Sequence, residues 1–222
     1  MKTIKTFLFD RFNVLFPLFA LTVLSILMLA IRLKIIHSFF FLFLAWNLFL
    51  AMVPISISSC LVAAKKIKKP KLYFLLVIWL LFLPNAPYLL TDFIHLRLSP
   101  LEWLGFDGLM IAIFAITGIT YYLFSVQDIE GILLKNFNHK IAKLVMATLP
   151  FLVSFGIYLG RVLRWNSWDI LHNPLRIFID VLALFTNPFE NRGAWLFATL
   201  LGLFLKLVYW GFKKYLFNYR KA

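Results

Sequence analysis

Six runs of about twenty mostly apolar residues, separated by short basic or proline-bearing links, constrain this chain more than any other feature. A helix needs about 20 apolar residues to cross a hydrocarbon core of roughly 30 Å, and it crosses without stranding backbone hydrogen-bonding groups. The runs cover 13–31, 35–64, 72–90, 104–126, 141–163 and 194–212. They predict an all-α integral membrane protein, one polytopic domain over residues 1–222 with six transmembrane helices. With 63% hydrophobic residues, 26 Phe and only 14% charged, the chain lies far from soluble globular composition. The basic opening "MKTIKTFLFDRF" leads into a long apolar run without a small-residue cleavage site, so an uncleaved first helix is expected. The second run, extended as one helix, would measure about 45 Å. Pro54, followed by Ser56, Ser58 and Ser59, is where it is expected to kink or end.

Charge sets orientation. The net charge is +14, but the lysines and arginines sit at the ends of apolar runs, which excludes a nucleic-acid-binding face as their purpose. The amino-terminal segment, the link "KKIKKPK", the link before the fifth run and the tail together hold 15 of them. The intervening segments hold seven: Arg32, Lys34, Arg97, Arg161, Arg164, Arg176 and Arg192. The positive-inside rule then places both termini in the cytoplasm of a multi-pass cell-membrane protein. Cys60 is the single cysteine, so no intrachain disulfide or cysteine-rich metal site is available. No cofactor is implied, and the lipid bilayer is the partner that composition requires.

The segment "NPLRIFIDVLALFTNP" is apolar yet has only about a dozen residues between its prolines, too few to cross. It is expected to form an outer interfacial or re-entrant helix with Arg176 and Asp180 as a local i,i+4 pair. Trp103, Trp165, Trp168 and Trp195 all fall near the same boundary, a depth tryptophan prefers.

Two stretches break the apolar pattern: "LPNAPYLLTDFIHL" from Leu83 and "YLGRVLRWNSWDILHNP" from Tyr158. Counted from Lys71, Asn85 lies about 21 Å and Asp92 about 31 Å along the third helix, while Arg161 lies about 27 Å from Lys143. Both stretches therefore reach the outer face. Pro84 and Pro87 must bend or unwind the helix, and lipid cannot satisfy unwound backbone. Asn85, Tyr88 and Thr91 are the expected polar lining there, and Asn85 and Tyr88, with Arg161, Arg164 and Asn166 of the second stretch, are the expected ligand-binding groups. Each stretch also carries Asp-x-x-His just beyond a span, Asp92 with His95 and Asp169 with His172, residue types that serve as acid and base. Contact between the stretches is expected, with an Asp92 or Asp107 carboxylate against Arg161 or Arg164 and His95 near Asp169 or His172. No metal is assigned, because a closed site takes four ligands. The plainer readings are solvated loop residues for the Asp-x-x-His segments and interfacial anchors for the arginines. Asp107 is expected to pair with an arginine or cap its helix, and Lys206 to turn towards a headgroup or a neighbouring helix.

The segments LPNAPYxxTDxxHL and YLGRxxRWNSWD resemble the signature of a family of bacterial multi-pass membrane proteins catalogued as a domain of unknown function. The likeness covers nearly the whole chain. It implies a polytopic membrane protein and transfers no catalytic residue. Three classes of function fit the residues: an outward-facing Asp/His/Arg site that binds, or acts on, a lipid-linked or anionic ligand; a small transporter using the broken third helix; and a noncatalytic membrane subunit or scaffold. The central parts of most spans lack acidic residues, which weighs against ion-coupled transport.

Overall fold

The computed structural model describes residues 9, 11–64 and 67–219. These residues form helices α1 (Phe12–Ile36), α2 (Phe43–Ala63), α3 (Lys69–Phe82), α4 (Asn85–Tyr88), α5 (Leu104–Asn136), α6 (His139–Arg161), α7 (Asp169–His172), α8 (Pro174–Thr186) and α9 (Arg192–Tyr219). Three 3-10 helices, Phe40–Leu42, Leu89–Leu98 and Leu101–Trp103, complete the regular structure. Among the described residues, six helical segments are long and apolar enough to cross a membrane: Phe12–Ile36, Phe40–Ala63, Lys69–Leu98, Leu101–Asn136, His139–Arg161 and Arg192–Leu216. Lys2, Lys5, Lys65, Lys66, Arg220 and Lys221, which enter the count of basic residues above, lie outside the described residues. The chain divides into two compact units, the first ending at Ile132 and the second beginning at Leu133.

In the first unit the division between spans one and two differs from the sequence expectation. Helix α1 runs on through Arg32 and Lys34 to Ile36, and His37 closes it in the left-handed conformation (φ 52°), its amide donating to the Leu33 carbonyl at 3.0 Å. The second span consequently starts at Phe40. Its excess length is removed at the beginning, so Pro54 lies inside a continuous α2 and neither ends nor divides it.

The third span does break where its prolines stand. Helix α3 stops at Phe82, α4 supplies one turn, and the chain continues as the ten-residue 3-10 helix Leu89–Leu98. Proline withdraws the amide that would continue the α-helical ladder. The freed carbonyls are taken locally: Ala86 N–H donates to Leu83 O at 3.2 Å, and the Asn85 side chain donates to Phe82 O at 3.0 Å. Thr91 Oγ1 likewise donates to Tyr88 O at 2.6 Å. Leu83, Ala86, Pro87 and Leu89 are buried, so protein rather than lipid covers the unwound turn. Gly118 of α5 makes that cover possible, because a methyl group there would run into the Ala86 carbonyl oxygen.

Helix α5 meets α1 along a line of polar pairs. Arg32 bonds Asp107, Ser25 Oγ lies 3.0 Å from Thr117 Oγ1, Thr22 bonds the Tyr121 hydroxyl, and Arg11 bonds Asp128. Residue numbers rise along α1 as they fall along α5, which makes the two helices antiparallel. Trp79 Nε1 of α3 donates to Ser125 Oγ of α5 at 2.7 Å.

In the second unit α6 and α9 form an antiparallel pair, with Tyr158 beside Phe197 and Gly202 against Phe151. Lys206 lies 5.9 Å from the Phe151 ring, turned towards the neighbouring helix as expected. Helix α8, 13 residues long, measures about 20 Å and does not cross. It is pinned at two points: Trp165 Nε1 donates to Asp180 at 2.9 Å, and Trp195 Nε1 to the Leu184 carbonyl at 3.2 Å. The expected Arg176–Asp180 pair is replaced by joint engagement of Trp165, since Arg176 sits 5.8 Å over the indole while Asp180 accepts its N–H. Indole offers a cation a π face and a carboxylate a donor, so one ring serves both.

Candidate functional site

At one end of the first unit, four helix ends converge and bring ionisable groups into a dry setting. The end of α1 contributes Arg32, 3% exposed, and the start of α5 contributes Asp107, 0% exposed. Arg32 Nε donates to Asp107 Oδ1 at 2.5 Å and Nη2 to Oδ2 at 3.0 Å, a two-pronged pair. Ser99 Oγ adds a third bond to Asp107 at 2.7 Å. The guanidinium lies 5.5 Å from the Phe41 ring and 5.9 Å from that of Trp103, so its flanks are aromatic. Arg32 Nη1 is buried and finds no hydrogen-bond partner among the described residues. Asp107 thus pairs with an arginine as expected, and the arginine is Arg32, which the sequence had placed in an outer link.

Asp92, 0% exposed, accepts a bond from Asn47 Nδ2 at 3.1 Å. The 3-10 helix stacks residues three apart, and His95 Nε2 accordingly stands 3.9 Å from Asp92 Oδ1. The imidazole side chain, 28% exposed, packs 4.6 Å from the Phe43 ring and 6.1 Å from that of Phe40. Asp92 and His95 are therefore not loop residues beyond the third span but part of its helical continuation. Phe41 faces the Arg32 guanidinium while Phe40 and Phe43 pack on His95, so the segment from Phe40 to Phe43 lies against both groups.

The opposite end of the same unit carries a second cluster. Arg11 Nη2 contacts both Asp128 oxygens at 2.7 and 2.8 Å, Arg11 Nη1 donates to Ser59 at 3.0 Å, and Ser58 Oγ donates to Asp128 at 2.9 Å.

The second unit holds Asp169 and His172. Asp169 Oδ2 accepts from the Asn166 amide at 2.7 Å and from its side chain at 3.2 Å, closing the turn before α7. His172 is exposed at the end of that single helical turn. Arg161 ends α6, half-buried, and Arg164 is exposed in the left-handed conformation (φ 61°). That conformation lets the Trp165 amide reach back to the Leu159 carbonyl at 3.0 Å. Among the described residues, no three His, Cys, Asp or Glu side chains gather as a metal would require.

Sequence reasoning missed Arg32, Asn47 and Ser99. The signal for Arg32 was present: a guanidinium inside "LAIRLKII" demands a carboxylate once the helix is extended to include it.

No curated protein and no solved structure matches the chain. Residues 46–208, well over half of its length, match the family model described as Protein of unknown function (DUF1361). The matched region contains both Asp-x-x-His segments, Asp107 and Asp128, while α1 with Arg32 precedes it. The chain belongs to this family.

Proposed function

We propose that the polar end of the first unit binds the head group of a lipid or lipid-linked molecule and faces away from the cytoplasm. The observation that carries this reading is the pairing of a wholly buried carboxylate, Asp92, with a partly exposed imidazole, His95, 3.9 Å away at the end of a membrane span. A buried carboxylate at that depth is unfavourable unless it is bonded, and such groups in spans mark ligand or ion pathways. Asn47 fixes one Asp92 oxygen, and the aromatic rings of Phe40 and Phe43 hold the imidazole, leaving its exposed edge as the point of entry. The distribution of basic residues along the sequence supports the outward orientation. Asp92 and His95 are the groups available for proton transfer to a bound substrate.

The test is native mass spectrometry of the full chain extracted from its membrane. A lipid-derived adduct should accompany the wild type and be lost from His95→Ala and Asn47→Ala, with unfolding temperatures within a few degrees of the parent. Absence of any adduct, or equal retention in both variants, removes this reading.

A further inference from the structure

Arg32 has more donors than the protein uses. Its Nε and Nη2 are committed to Asp107, yet Nη1, also buried, has no partner among the described residues. A buried donor left unmade is strongly unfavourable, the more so on a charged group. We infer that Nη1 anchors the ligand of this site, and that the group it takes is an uncharged oxygen acceptor of the ester-carbonyl class at the membrane interface. This deepens the head-group reading above and rests on it.

Charge selects the class. Asp107 already neutralises the guanidinium and is itself fully buried beside it, so a doubly charged phosphate monoester would meet that carboxylate without a free counter-charge. A carbonyl oxygen asks only for a hydrogen bond. Depth points the same way. Helix α1 is 25 residues long, about 37 Å, against a hydrocarbon core of roughly 30 Å. If it is centred, each end projects about 4 Å, and Arg32, four residues from the last, falls about 2 Å inside the hydrocarbon boundary. The ester linkages of glycerolipids lie at that boundary, between headgroups and acyl chains. The walls suit such a ligand, because Phe41 is buried on one flank of the guanidinium while Trp103 on another is half-exposed. Arginine's fork is needed for this arrangement, since it can hold a carboxylate on one edge and present N–H groups on another.

The test compares the full chain in nanodiscs of diacyl phosphatidylcholine with nanodiscs of its dialkyl ether analogue, which has the same headgroup without ester carbonyls. Wild type should unfold several degrees higher in the ester lipid. Arg32→Lys keeps a cation for Asp107 but withdraws the second edge, and it should unfold at one temperature in both lipids. A third wild-type arm, ether nanodiscs doped with an ester-bearing glycolipid, should recover the difference if a minority lipid is the natural source. Equal stability of wild type in all three lipids overturns the inference, as it would mean that water satisfies Nη1. An ester preference that survives in Arg32→Lys also overturns it, by placing the carbonyl elsewhere. A mass-spectrometric adduct dependent on His95 but indifferent to ester chemistry would leave the head-group reading standing and this inference alone refuted.

Discussion

Arg32 and Asp107 show how much depends on single side chains once water is absent. Each is buried, so either one left alone becomes an uncompensated charge, a loss of about 3–5 kcal/mol in comparable buried pairs. Asp107→Asn should therefore destabilise the protein by that order in a thermal unfolding assay in detergent, whereas Arg32→Met with Asp107→Leu should recover much of the loss. Two glycines of α5 make a second comparison. At Gly118 an added methyl collides with the Ala86 carbonyl, which belongs to backbone and cannot swing aside, while at Gly131 it meets nothing within 4 Å. Gly118→Ala should lose about 1–3 kcal/mol through overpacking. Gly131→Ala should be neutral or gain up to about 1 kcal/mol from helix propensity. The same unfolding assay separates them.

At the level of elements, the 3-10 helix Leu89–Leu98 decides what Asp92 and His95 can do. In an α-helix residues three apart are offset by about 60°, but in a 3-10 helix they eclipse. The carboxylate and imidazole are thus stacked on one edge, with Asp92 turned inward and His95 half out. Asp169 and His172, with the same spacing, sit in a short α turn where Asp169 is occupied with closing the preceding loop. Identical spacing has produced different surroundings. The loop after α6 carries its own prediction, because Arg164 occupies a left-handed position normally favourable to glycine. Arg164→Gly should raise stability by about 1 kcal/mol, since the arginine gives up the strain. A measured fall instead would show that the Arg164 side chain makes a contact worth more than the backbone penalty.

For the molecule as a membrane protein, the seam between α1 and α5 matters most. Arg11 and Arg32 are 21 positions apart at the ends of α1, as are Asp107 and Asp128 on α5, so each helix places its two charges about 31 Å apart. That distance matches the hydrocarbon thickness, as expected if one ion pair stands near each boundary, and the pairs described between them are hydroxyl pairs. The basic residues lead us to expect both termini on the cytoplasmic side, and single cysteines in a Cys60-free background check this. A cysteine at Lys68 should resist an impermeant thiol reagent in intact cells, and one at Leu101, 86% exposed, should react. The reverse pattern would invert the topology.

What the sequence determined by itself was the class, the number of spans and the place of the break at Pro84 and Pro87. These are local properties: apolar length sums residue by residue, and proline withdraws its amide wherever it stands. It left the position of the first link several residues wrong, because "IRLKIIHSFFF" has no strong breaker and His37 ends the helix only by adopting a left-handed conformation. The polar end of the first unit was half legible. Asp92, His95 and Asp107 stood out as polar groups in an apolar setting, but their partners Asn47 and Arg32 lie 45 and 75 positions away in sequence. Only the tertiary structure could choose among the arginines, since every one of them offers the same charge. The choice was made by which helix α5 packs against and by the register that brings Arg32, and not a residue one turn away, level with Asp107.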